Sequence, residues 1–189
     1  MHRTDNRTWS RAPWRALLLA ALVAGLTAAA QRPEPPSLEP MERLGFLAGT
    51  WEGEGWMEYQ PGRKATFTSR EVVEPRLGGR VLLVEGTHRS PMPGEPEPVV
   101  VHHALGVFSH DAAEGYRFRT WLADGHSGDF GAELADGGLV WGYDDPRLGR
   151  VRYTLRIEDG DWVEVGDASR DGGESWHRFF EMRLSRKGS

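Results

Sequence analysis

No cysteine occurs among the 189 residues, which excludes disulfides, thiol catalysis and Cys-ligated zinc and leaves stability to a packed core alone. Patterns that would announce an enzyme are missing too. The seven histidines (His2, His88, His102, His103, His110, His126, His177) show no H-E-x-x-H or comparable metal-ligand spacing. Ser169 precedes a turn and sits in no nucleophile elbow, so it reads as turn chemistry with Asp171. The Asp-Gly segments at 159–161 and 171–173 lack the ligand series of a calcium loop. Positive charge is short as well: Lys and Arg number 23 against 28 Asp and Glu, for a formal charge of −5. That balance argues against nucleic acid or an anionic membrane as the main partner.

What is present begins with an export signature. Arg3, Arg7, Arg11 and Arg15 precede the apolar run Ala16–Ala30, which ends in small residues. A basic region, a short apolar core and an A-x-A site predict a signal peptide over residues 1–30. The run is short for a bilayer, which needs about 20 residues. The expected destination is the periplasm or the exterior, with no stable membrane insertion after cleavage. Removing four Arg and one Asp with that segment takes the formal charge from −5 to −8. What remains is long enough for one domain with its own core. Residues 31–40 (QRPEPPSLEP) form a Pro-rich tether, and residues 41–187 form the domain.

Strict alternation marks the start of that domain. Trp51, Gly53, Gly55, Met57 and Tyr59 fall on one side of the chain, and Glu52, Glu54, Trp56 and Glu58 on the other. This is the pattern of a strand with one buried face, and Gly53 and Gly55 mark a bend or a close approach. Before it, a short helix opened by Pro40 would carry Met41, Leu44 and Leu47 toward the barrel mouth. After it, strands are spaced by Pro61-Gly62, Gly78-Gly79, the Pro-rich stretch 90–98, Asp159-Gly160 and Asp171-Gly172-Gly173. The count predicts an all-β fold: a single antiparallel up-and-down β-barrel of about ten strands with a short N-terminal helical plug. A two-sheet sandwich would show the same alternation. If the barrel closes, the Trp51 strand and the closing strand over 175–184 lie side by side.

The stretch Leu47-Ala48-Gly49-Thr50-Trp51-Glu52-Gly53-Glu54-Gly55 resembles the first strand of nitrobindin-like, calycin-type (lipocalin-like) barrels, and more specifically exported bacterial domains of unknown function that share it. Ser169-Arg170-Asp171-Gly172-Gly173-Glu174-Ser175-Trp176, followed by Phe179-Phe180-Glu181-Met182 and Arg186, is similar to their closing hairpin. Glu74 to Gly79, with Glu85-Gly86, fall where those domains keep a Gly-rich turn and a strand Glu. The resemblance implies a barrel that holds a small ligand. Its nitrobindin branch would imply a haem b on a histidine near the last strand, acting on nitrogen oxides or peroxide. The histidine there is His177, which falls on the less apolar parity of its strand and so is expected to face outward, as Arg178 is expected to face inward.

Candidate site residues follow from the same parity reasoning. His103 shares a side with Val99, Val101, Leu105 and Val107, and Glu85 with Val81 and Leu83, so both are expected inward. There they could form an acid/base pair, or Glu85 a salt bridge with an inward Arg70 or Arg178. A hydrogen-bonded core histidine and a structural ion pair are the plainer roles. Tyr116, Phe118 and Thr120, with Tyr153, Leu155 and Ile157, continue the inward set. Trp51, Glu85, His103, Tyr116, Thr120, Tyr153 and Phe180 then line either a pocket or a filled core. The expected function is binding of a small apolar or amphipathic molecule without catalysis and without a metal or cofactor; the haem-dependent reading and a non-catalytic envelope interaction module are the alternatives.

Overall fold

The computed structural model describes residues 35–135 and 138–188. The signal-peptide segment and the first part of the tether lie outside the described residues. A one-turn helix α1 (Glu39–Glu42) and a 3-10 turn (Gly45–Leu47) lead into ten strands. These are β1 (Gly49–Gln60), β2 (Arg63–Arg76), β3 (Val81–Ser90), β4 (Val99–Asp111), β5 (Gly115–Leu122), β6 (Ser127–Ala135), β7 (Gly138–Asp145), β8 (Gly149–Glu158), β9 (Asp161–Ser169) and β10 (His177–Lys187). Each pairs antiparallel with its neighbour in sequence, and β10 closes on β1. The sheet is therefore one up-and-down barrel, which leaves no free edge.

Local chemistry explains the connections. Asp159 and Gly160 both take positive φ (54° and 89°), so Glu158 faces Asp161 across a two-residue hairpin. Asp171 and Ser169 build the turn before β10: Ser169 Oγ donates to Asp171 and accepts the Gly173 amide at 2.8 Å. Three hydrogen bonds, two of them from backbone N–H and hydroxyl groups of Ser175 and one from Ser169, hold the Asp171 carboxyl well below the usual carboxylate range. Ser169 thus has the turn role its sequence context indicates.

At the seam, Gly53 sits opposite Leu184 and Gly55 opposite Met182. A Cβ on Gly53 would lie 2.1 Å from the Arg183 carbonyl oxygen, and one on Gly55 would lie 2.6 Å from that of Glu181. The two glycines let β1 press against β10 where the barrel closes.

The plug stoppers the end of the barrel where β1 begins. Met41, Leu44 and Leu47 are buried there with Trp51, Val73, Leu82 and Phe108. Pro40 is the second residue of α1, a first-turn position where its missing N–H costs nothing. Three ties fix the plug. The Trp51 indole donates to the Leu47 carbonyl at 2.8 Å, the Tyr116 hydroxyl to the Pro40 carbonyl at 2.7 Å, and the Arg186 guanidinium to the carbonyls of Phe46 and Ala48. Arg186 also lies 4.1 Å above the Trp51 ring, a cation–π contact.

Strand parity departs from expectation in four strands. In β3 the inward residues are Leu82, Val84, Gly86 and His88, and in β4 they are His102, Ala104, Gly106 and Phe108. Glu85 and His103 therefore point outward. They bond each other at 3.1 Å on the outer wall, with side chains 57% and 46% exposed. The more apolar parity of β4 faces solvent, Leu105 being 38% exposed. The reason is space: Gly106 admits the Phe118 ring, whose edge would stand 2.6 Å from a Cβ. In β10 a bulge between Arg178 and Phe180 buries both Phe179 and Phe180 and reverses the parity before it. Arg178 consequently faces outward and pairs with Asp167 at 3.2 Å. Arg70 is outward as well, 3.3 Å from Glu52.

Candidate functional site

Inside the barrel is a cavity of ≈ 510 Å³. Beyond Trp162, Met182 and Leu155 the plug closes it, and at the far end Met57, Leu122 and His126 form its rim. Phe118, Phe130, Trp141, Tyr143, Tyr153 and Phe180 supply its walls. These rings pack on one another: Trp141 stacks on Tyr153 at 4.4 Å, and Phe130 leans on Trp141 and Tyr143 at 5.2 and 5.3 Å. Tyr153's hydroxyl is held far above its ordinary range, first by burial and then by the nearby Tyr143. The room exists because β3 and β4 contribute Gly86, Ala104 and Gly106 to the inward face.

A polar cluster occupies one side of this space. Glu71 enters from β2 directly opposite Gly86, whose missing side chain leaves room for the carboxylate; a Cβ there would lie 2.5 Å from Glu71 Oε2. Ser69 Oγ donates to Glu71 Oε1 at 3.1 Å, and His88 Nε2 is 3.2 Å from the same oxygen. The His88 ring is sandwiched between Phe67, parallel at 4.5 Å, and His102, at 4.9 Å. Register places His88 and His102 side by side on β3 and β4. Burial, then the neighbouring His88, pulls the His102 ring below its usual pKa.

Glu164 faces this group from β9. One of its oxygens accepts the Trp162 indole N–H at 3.1 Å. Burial first, and the charge on Glu71 second, push its carboxyl up to about 8. At neutral pH it is mostly protonated, a donor beside the Glu71, His88 and His102 cluster. Among the described residues that line the cavity there is no Lys and no Arg.

The residues singled out from sequence divide into three groups. Thr120, Tyr153 and Phe180 line the cavity. Trp51 lies beneath it, fully buried and edge-on to Trp162 at 5.8 Å, and Tyr116 fastens the plug and borders a separate recess of ≈ 550 Å³ beside β6 and β7. Glu85 and His103 stand on the outer wall. The sequence reasoning passed over Glu71, His88 and Glu164, and its parity rule set His102 outward, whereas His102 faces the cavity. For Glu71 and His88 the signal was present in the alternations Phe67-Ser69-Glu71-Val73 and Leu82-Val84-Gly86-His88, whereas in β4 the more apolar parity of Val99, Val101, Leu105 and Val107 pointed away from His102.

A haem held through His177 does not fit this arrangement. The His177 side chain is 66% exposed, its Nε2 is 3.0 Å from Glu58 Oε1, and it takes no part in the cavity lining. Among the described residues no group of three or more His, Asp or Glu is arranged to hold a metal ion.

No family model and no curated protein matches the sequence. Solved structures do match. The crystal structure of Rv2717c from M. tuberculosis superposes with a TM-score of 0.56 over 79% of this chain and 98% of that one, at 13% identity. Zebrafish ileal bile acid-binding protein, complexed with cholic acid, aligns over 75% of this chain and 99% of that one at 15% identity, with a TM-score of 0.42. The likeness to Rv2717c is one of fold, and it agrees with the closed ten-strand antiparallel barrel of this chain.

Proposed function

We propose that the protein is a non-catalytic carrier or sensor that encloses one small amphipathic molecule in its barrel. The observation that carries this reading is the ≈ 510 Å³ cavity, with aromatic walls and a polar cluster confined to one side. Its size falls within the roughly 300–1,000 Å³ typical of small-molecule sites. Aromatic walls favour an apolar body, and buried polar groups orient the other end, because leaving them unpaired costs free energy. The plug closes one end, so exchange runs through the rim at Met57, Leu122 and His126. The export signature in residues 1–30 supports a place outside the cytoplasm for this binding.

Trp141 and Trp162 line the cavity, so occupancy is expected to change tryptophan emission with one-to-one stoichiometry. Ala104→Phe, which puts a ring into the lined space, should abolish that response in a protein that still folds. A response that persists unchanged in folded Ala104→Phe would place the binding elsewhere and end this reading.

A further inference from the structure

We propose that the molecule held in the cavity is a cationic amphiphile, a primary or secondary amine on an apolar body, with its nitrogen against Glu164 and Glu71. This rests on the binding reading above and names its ligand class. The first ground is the sign of the interior. Among the described residues two carboxyl groups face the cavity, and no Lys or Arg lines it. An anionic amphiphile would lose its hydration there and meet no counter-charge, a loss that is costly in a low-dielectric site.

The second ground is that Glu164 lacks a basic partner. It is only 8% exposed, and its single hydrogen bond among the described residues is the Trp162 indole on one oxygen. The arginines that could have neutralised the cluster are turned outward and engaged: Arg70 with Glu52, and Arg178 with Asp167. An ammonium donates two or three hydrogen bonds and brings the charge that a buried carboxylate lacks. The third ground is the walls. Trp141, Tyr143 and Tyr153 line the same space, and aromatic rings suit the apolar body that such an amine carries.

Proton linkage follows. The titratable groups facing Glu164 are Glu71 from β2, His88 from β3, His102 from β4 and Tyr153 from β8; β10 sets Met182 opposite it. Because burial and Glu71 hold Glu164 protonated below about 8, an ammonium must displace that proton. Amine affinity should then rise with pH between about 6 and 8, by at most tenfold per unit, with up to one proton released per amine bound.

The test is calorimetric titration of the purified protein with octylamine, octanol and octanoate at pH 7.5 in buffers of different ionisation heat. Octylamine should bind one-to-one, at least tenfold tighter than octanol and tighter still than octanoate, with proton release. Glu164→Gln and Glu71→Gln, checked for folding by circular dichroism, should each cut the amine-to-alcohol affinity ratio at least tenfold. Octanoate binding as well as the amine, or a ratio unchanged in both variants, would overturn the inference, and the wild-type comparison alone suffices if the variants fail to fold. Equal binding of amine and alcohol would sink the amine assignment and leave the carrier reading standing. Binding of none of the three would sink both.

Discussion

Replacing Glu164 by Gln should make the empty protein more stable, and increasingly so as pH rises. The carboxyl moves from 4.5 in the unfolded chain to about 8 in the barrel. Below pH 4.5 both states hold the proton and the group contributes no pH dependence. Between 4.5 and about 8 the unfolded chain has lost its proton while the folded one retains it, so stability falls as pH rises. One pKa unit is worth about 1.36 kcal/mol, and a shift of about 3.5 units therefore costs about 5 kcal/mol once pH exceeds the folded value. Against a total of roughly 5–15 kcal/mol for a domain, that is a large fraction. A Gln of the same shape can still accept the Trp162 indole N–H and does not titrate. Urea unfolding of the two proteins at pH 4.5, 6, 7 and 8.5 measures the difference. The midpoints should lie close at pH 4.5 and separate by several kcal/mol in favour of Glu164→Gln at pH 8.5. Parallel profiles, or a variant that loses ground as pH rises, would refute the reasoning, because either would mean that the carboxylate is ionised and stabilised in the fold.

Two further outcomes test the architecture. Gly55→Ala should destabilise by about 1–3 kcal/mol or more, read as a lower Tm, because its Cβ would meet the Phe67 ring at 2.5 Å and the Glu181 carbonyl at 2.6 Å; an unchanged Tm would remove the seam argument. Arg186→Met should cost about 1–3 kcal/mol and speed amide exchange at Leu44 and Leu47 while β4 and β5 stay protected, since Arg186 ties the plug through Phe46 and Ala48; uniform exchange across the barrel would show that the plug does not open by itself.

Much of the barrel was legible because its signals are local. Asp159-Gly160 announces a hairpin through its own φ preference, and the observed turn uses both residues at positive φ. The alternation of Trp51 to Tyr59 announces a half-buried strand, and Gly53 and Gly55 announce the close approach that β10 makes. The bulge at Phe179 was not legible, because two adjacent phenylalanines look the same whether one faces out or both are buried.

The cavity was misread for a physical reason that reaches beyond one strand. Choosing the inward face as the more apolar one assumes a filled interior, and for β8 it succeeds: Val151, Tyr153 and Leu155 are apolar, large and inward. In β4 the same rule selects His103, which lies outside, bonded to Glu85 of β3. Beside the cavity the inward face of β3 and β4 leaves space through Gly86, Ala104 and Gly106 and carries the polar His88 and His102. A hollow barrel thus inverts the rule on the side where it is hollow, and the stretch His102-His103-Ala104-Leu105-Gly106-Val107-Phe108 then has a consistent reading. The small and polar parity faces the cavity, while Leu105 and Val107 cover the outside. The inversion falls on the polar side of the cavity, because β4, the strand that breaks the rule, pairs with β3, which lies beside the β2 strand that brings in Glu71.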